Sequence, residues 1–262
     1  MYKKYRMRFV INPQFQSLEK QIVDCVYQFD STGKVLFDGR NQLRKFSIDR
    51  YEIVIKSYKK PILINQFIYN WLREPKAERA YNFSLELIKL GISTPQPLSY
   101  AIEIISGRLQ KSYYACEFIN GFEFRDVILQ ENHIDRELLI RQFTRFTFDL
   151  QQKKVFFKDH SPGNTLIRKA DDGNYHFYLI DVNRMKFDVE FDLDKRLKNF
   201  ENLSAPDDVI QIMSDEYAKL IGMNKEVIYQ KMSFYAQDAR QKRDKRDKRK
   251  KLMKKLLGIN KE

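Results

Sequence analysis

The apolar pattern of this chain changes once, near residue 133, and that change restricts the fold more than any other feature. Before it, short runs rich in β-branched and aromatic residues alternate with Gly and Asp. IVDCVYQF, GKVLFDG, RKFSI and YEIVIK occupy residues 21–57, and LSYAIEII and KSYYACEFI follow. After it, apolar residues recur three and four apart. Leu139, Phe143, Phe146 and Leu150 mark one stripe of a helix over 133–154. Strands gathered in one part of a chain and helices in another predict an α+β fold rather than alternating βαβ units.

One helix interrupts the strand-rich part. In PKAERAYNFSLELIKL, residues 75–90, Ala80, Phe83, Leu87 and Leu90 keep helical spacing. Pro75 suits a first turn and Gly91 a helix end. A connector near 117–121 leads to the helical part. There NTLIR and YHFYLI read as strands joined by the hairpin signal DDGN, and the helices after about 190 break near Pro206. The expected division is a β-rich lobe over 1–118, a helical lobe over 119–239 and a basic segment over 240–262.

Composition limits the function classes. With 262 residues, 43% apolar and 14% aromatic, the chain can bury a core. Cys25 and Cys116 have no metal-like spacing and read as reduced thiols of a cytoplasmic protein. The opening MYKKYRMRFV lacks the apolar region of a secretion signal, and no run of 18 apolar residues occurs. The net charge of +13 is uneven: residues 240–256 hold 11 Lys or Arg against Asp244 and Asp247. Such a segment attracts an anionic surface, nucleic acid, or only solvent. The absence of aromatic residues from 240–256 disfavours base stacking and hence nucleic acid. Leu252, Leu256 and Ile259 form a thin apolar stripe, too narrow for strong insertion.

Four polar points stand out against apolar flanks: Lys56 at the end of YEIVIK, Glu78 in the inserted helix, Asp159 with Asn164 in VFFKDHSPGNTLI, and Asp181 at the end of YLID. Taken singly, each reads as a solvated charge, a cap or a turn former. Their joint order is that of phosphoryl transfer from ATP in kinase-like folds. In that scheme Lys56 neutralises phosphates and Glu78 fixes the lysine head. Asp159 takes or orients the attacking hydroxyl, while Asn164 and Asp181 present oxygens to Mg²⁺, a cation that prefers such ligands. Pro162-Gly163 supplies the turn between the acid and the amide.

These residues carry a resemblance. KAERAYNFSLELIKLGISTPQPL, YYACEFINGFEF, DHSPGN and LIDVNR are similar to segments of the protein-kinase-like superfamily, and more closely of the bacterial lipopolysaccharide kinases that phosphorylate Kdo or heptose. The resemblance spans roughly residues 30–205. It implies a two-lobed kinase-like fold and use of ATP and Mg²⁺. Glu117 to Ile119 would receive adenine through backbone groups. The implied acceptor is a sugar hydroxyl of the lipopolysaccharide inner core or of a lipid A precursor, reached at the cytoplasmic face of the inner membrane with peripheral contact through residues 240–256. Several departures stand beside it. No full G-x-G-x-x-G occurs, and only Gly33 and Gly39 lie near its expected place in STGKVLFDGRN. The usual H-R-D is Phe157-Lys158-Asp159, D-F-G is Asp181-Val182-Asn183, and no A-P-E follows. His160 reads as a loop-stabilising residue rather than a catalyst. Two alternatives remain: a phosphotransferase for a small, aminoglycoside-like molecule, and a non-catalytic kinase-shaped binding protein.

Overall fold

The structure is a computed structural model that describes residues 5–59, 74–106 and 108–256. The chain divides into two units, Met1–Gly121 with Tyr178–Asn183, and Phe122–Phe177 with Arg184–Glu262. The sequence expectation placed breaks at 118 and 239. The structure instead returns Tyr178–Asn183 to the first unit and leaves residues 240–256 continuous with the helix before them.

The first unit is built on an antiparallel sheet of six strands: β1 (Tyr5–Ile11), β2 (Lys34–Asp38), β3 (Gln42–Ile48), β4 (Tyr51–Tyr58), β5 (Pro97–Ile105) and β6 (Arg108–Glu117). Their order is β1-β5-β6-β4-β3-β2. Alternation along β4 sends Ile53 and Ile55 to one face and Lys56 and Tyr58 toward the other. Helix α1 (Glu19–Tyr27) covers the first face, where Ile22, Val26 and Phe29 pack with Ile53, Ile55 and Leu98. Helix α2 (Lys76–Lys89) covers the second, where Ala77, Ala80 and Tyr81 pack with Tyr58, Tyr100 and Tyr114.

Two sequence expectations change here. IVDCVYQF, read as a strand, lies largely in α1. Its β-branched residues favour strands, but Ile22, Val26 and Phe29 stand four and three apart and all three are buried. Burying each contributes on the order of 1.5–3 kcal/mol, which outweighs a propensity of about 1 kcal/mol. Strand β1, unread in the sequence, pairs along its whole length with β5. The α2 end follows expectation. Gly91 has a left-handed φ of 67°, and Ile92 N–H and Gly91 N–H close the last turn onto Leu87 O and Ile88 O.

The second unit is mainly helical. It contains β7 (Phe122–Glu123), α3 (Phe124–Leu129), α4 (Arg136–Gln152), β8 (Phe156–Phe157), β9 (Thr165–Lys169), β10 (Tyr175–Leu179, which crosses into the first unit at Tyr178), β11 (Met185–Lys186), α5 (Leu193–Lys198), α6 (Asp207–Ile221) and α7 (Lys225–Leu256). Leu139, Phe143, Val209, Met213, Tyr217 and Ile228 centre its core. Helix α7 packs through Ile228, Met232, Ala236 and Ala239, and residues 240–253 are exposed or partly exposed. Ile259 of the expected apolar stripe lies outside the described residues. Among the described residues no helix is long and apolar enough to cross a membrane.

Candidate active site

In the first unit, Lys56 Nζ lies 2.9 Å from Asp181 Oδ1. The sheet positions the lysine, because Lys56 pairs with Leu43 on one side and Tyr114 on the other. The segment ending in Asp181 is tied to the turn after α2. Leu179 N–H donates to Ser93 O at 3.0 Å and Thr94 Oγ1–H donates to Leu179 O at 2.7 Å. Asp181 itself has φ 56°, a left-handed conformation costly for a residue with a Cβ, and Asn183 Nδ2 donates to its carboxylate.

Glu78 is engaged elsewhere. Its carboxylate accepts from the Tyr100 hydroxyl at 2.9 Å and from Arg8 Nη2 at 3.2 Å. The expected Lys56–Glu78 pair is therefore replaced by two separate pairs. The physical reason lies in the neighbours: β1 and β5 bring Arg8 and Tyr100 to Glu78, while Asp181 reaches Lys56. Burial, then the Glu78 carboxylate, push the Tyr100 hydroxyl up to about 12.

Further cations gather near Lys56. Its ammonium and that of Lys76 lie 5.3 and 5.9 Å from the centroid of the Tyr58 ring. Burial, followed by the charges of Arg40, Arg79 and Lys56, holds Lys76 below the ordinary lysine value, and Asp181 opposes that shift. The sequence reading missed Arg40 and Lys76.

At the connector, Glu117 N–H donates to Gln96 O and Phe118 N–H to Glu52 O, both at 2.9 Å. Ile119 is buried, and its N–H donates in none of the described turn and loop bonds. A cavity of about 340 Å³ touches Glu117 but is lined by Ile53 and Leu98, on the α1 face opposite Lys56. It is thus separate from the Lys56 group.

The second unit holds the other predicted residues together. Arg184 Nη1 donates to both carboxylate oxygens of Asp159, at 2.9 and 3.0 Å. Asn164 Nδ2 donates to Asp159 O at 2.8 Å, so the amide closes the loop on the backbone of the acid. Ser161 N–H donates to Asp159 O and Asn164 N–H to Ser161 O, folding the turn between them. A Cβ at Gly163 would stand 2.1 Å from Arg125 Nη2, the end of a flexible side chain that would have to move aside. The base of the loop is fixed by pairing of β8 with β11 and by Asn199 Nδ2 donating to Phe157 O at 3.0 Å.

His160 is fully buried, stacked on Phe143, with Nε2 3.0 Å from Thr147 Oγ1. Burial lowers it to about 3. A neutral imidazole enclosed by aromatic rings supports the loop, as its sequence context implied.

Two of the predicted metal ligands carry oxygen donors, each within its own unit: the Asp181 carboxylate in the first, and in the second the Asn164 amide oxygen, left over when its Nδ2 binds the backbone. Both are hard donors of the type Mg²⁺ takes alongside phosphate oxygens and water. Among the described residues no group of three or more His, Cys, Asp or Glu could hold an ion by itself.

A family model described as the lipopolysaccharide kinase (Kdo/WaaP) family matches residues 38–223. Among solved structures, WaaP in complex with acyl carrier protein is similar with a TM-score of 0.59 at 14% identity, covering 91% of this chain and 98% of that chain. Rio2 kinase from Chaetomium thermophilum, in an ADP/Mg²⁺-phosphoaspartate complex, gives a TM-score of 0.46 at 12% identity, covering 86% of this chain and 75% of that one. No curated protein matches. The likeness to WaaP is one of fold: an α+β, protein-kinase-like chain with a strand-rich N-terminal part and a helical C-terminal part.

Proposed function

This chain belongs to the lipopolysaccharide kinase (Kdo/WaaP) family, and from that premise we propose that it transfers a phosphoryl group from ATP, with Mg²⁺, to a sugar hydroxyl of the lipopolysaccharide inner core, on Kdo or heptose. The observation that carries the reading is the Lys56–Asp181 pair. A strand-borne ammonium and a carboxylate held in a strained backbone meet on one face of the sheet. Phosphoryl transfer asks for that combination of a cation for phosphate and a carboxylate for its metal.

Lys56 binds the phosphates and Asp181 receives the metal. Asp159 accepts the proton of the attacking hydroxyl, with Arg184 holding its carboxylate in one orientation. Asn164 keeps the loop closed and offers its amide oxygen to the metal. Glu117 O and Ile119 N–H receive adenine. Glu78 steadies the start of α2 through Arg8 and Tyr100 rather than holding Lys56. Mg²⁺, when bound, supplies neutralisation of the charge on the transferred group.

The exposed part of α7 suits work on a lipid-borne acceptor. Lys242, Lys245, Arg246, Arg249 and Lys250 line one stripe that ends at Met253. Each such cation near an anionic bilayer contributes on the order of 1 kcal/mol. In this reading the helix holds the enzyme at the cytoplasmic face of the inner membrane.

The test is ATP turnover with Kdo-lipid A and with a heptose-bearing core, by wild type and Asp159→Ala. Turnover by the wild type alone supports the assignment, and the better acceptor identifies the sugar. Equal rates for both proteins remove it.

A further inference from the structure

Protein kinases cover the phosphates of ATP with the backbone amides of a glycine-rich turn. The corresponding stretch of this chain reads Asp38-Gly39-Arg40-Asn41-Gln42 and offers a guanidinium in the middle of the turn. The hairpin closes with Asp38 paired to Gln42. Gln42 then pairs with Ser57 and Leu43 with Lys56. The register therefore sets the turn against the end of β4 that carries Lys56 and Tyr58.

A second cation approaches the same place from α2. Lys76 and Lys56 share the Tyr58 ring, and Lys56 reaches Asp181. Among the charges that act most strongly on Lys76, Arg40, Arg79 and Lys56 are positive and Asp181 is negative. Like charges repel at such range, so this grouping costs stability unless an anion joins it. Lys76 also opens α2, where a cation opposes the helix dipole. The contact with the Tyr58 ring offsets part of that cost, and an anion would offset more.

We propose that Arg40 and Lys76 are phosphate-binding residues, which hold the polyphosphate of the nucleotide by side-chain charge where a glycine-rich turn would use backbone amides. The inference rests on the ATP-dependent reading above. It assigns the turn a different chemistry: electrostatic attraction by two flexible cations, sensitive to salt and to the number of phosphates, with little recognition of the nucleoside.

The experiment is calorimetric titration with Mg²⁺-ATP and with adenosine. The proteins are wild type, Arg40→Gln, Lys76→Gln, the double variant, and the charge-preserving Arg40→Lys and Lys76→Arg. Each Gln variant is expected to lose about tenfold in ATP affinity, about 1.4 kcal/mol, with adenosine affinity unchanged and most of the loss recovered in the charge-preserving variants. Wild-type ATP affinity in the double variant overturns the inference and leaves the kinase reading intact. Equal losses for ATP and adenosine also overturn it, because the change then lies in the fold or the nucleoside pocket. A wild type that binds neither ligand sinks the kinase reading, and the inference with it.

Discussion

Lys56 and Asp181 stand 125 positions apart in the chain and 2.9 Å apart in space. The lysine side chain is 15% exposed and the aspartate 37%. The pair is therefore shielded on the lysine side and open on the aspartate side. An exposed ion pair is worth at most about 1 kcal/mol. In the proposed function its value lies in placing two charges for a third group rather than in holding the fold.

A substitution at Asp181 separates stability from turnover. The left-handed backbone there costs a non-glycine residue about 1–2 kcal/mol. Asp181→Gly relieves that strain and loses the ion pair, so its unfolding free energy should stay within about 1 kcal/mol of wild type. Phosphoryl transfer should fall at least about a hundredfold. Denaturant unfolding and a steady-state assay check both. Destabilisation beyond about 3 kcal/mol would mean that the pair holds the structure.

Glu78 offers a test of the corrected partnership. The Tyr100 hydroxyl and Glu78 are bonded at 2.9 Å within a largely buried cluster. A double-mutant cycle with Glu78→Gln and Tyr100→Phe should return a coupling of about 1.5 kcal/mol. The parallel cycle of Glu78→Gln with Lys56→Met should return a coupling near zero. Strong coupling to Lys56 instead would restore the lysine–glutamate pair expected from the sequence.

The buried His160 predicts a pH dependence of stability. Its folded value of about 3 lies below the unfolded value of about 6.5. Between those two the unfolded chain binds the extra proton, so stability rises with pH across the window and falls as pH drops from about 6.5 toward 3. From pH 7.5 to 5.0 this one group should remove about 2 kcal/mol. Unfolding of His160→Gln at the two pH values should show a smaller loss than wild type by about that amount. Parallel losses in the two proteins would place the imidazole in contact with solvent.

Between Ala239, which is buried, and residue 253, no side chain of α7 is buried. A chain ending at Lys242 should therefore unfold within about 1 kcal/mol of the full chain, in line with surface changes. Its binding to vesicles of phosphatidylglycerol and phosphatidylcholine at 3:7 should weaken about a hundredfold or more at low salt. Unchanged vesicle binding would leave the segment as a solvated helix.

Much of the fold was legible because it is written locally. Hairpin β9–β10, helices α2 and α4, and strands β3 to β6 each show their period or turn within a dozen residues. Helix α1 was misread because β-branched residues at helical spacing satisfy both patterns over eight positions, and only the sheet beneath Ile22 and Val26 decides between them. Strand β1 alternates Arg6 and Arg8 with Met7 and Phe9, a period-2 pattern that went unread because the opening was weighed only for a secretion signal. Arg40 and Lys76 drew no notice because a cation in a basic chain has no local mark of purpose.

By itself the sequence determined which segments are strand and which are helix in most of the chain, and which loop closes on an acid and an amide. Those properties follow from backbone preference and apolar spacing among near neighbours. Only the tertiary structure decided that Lys56 meets Asp181 while Glu78 turns to Arg8 and Tyr100. Coulomb attraction acts through space, and sheet register, not sequence separation, sets which charges come within its reach.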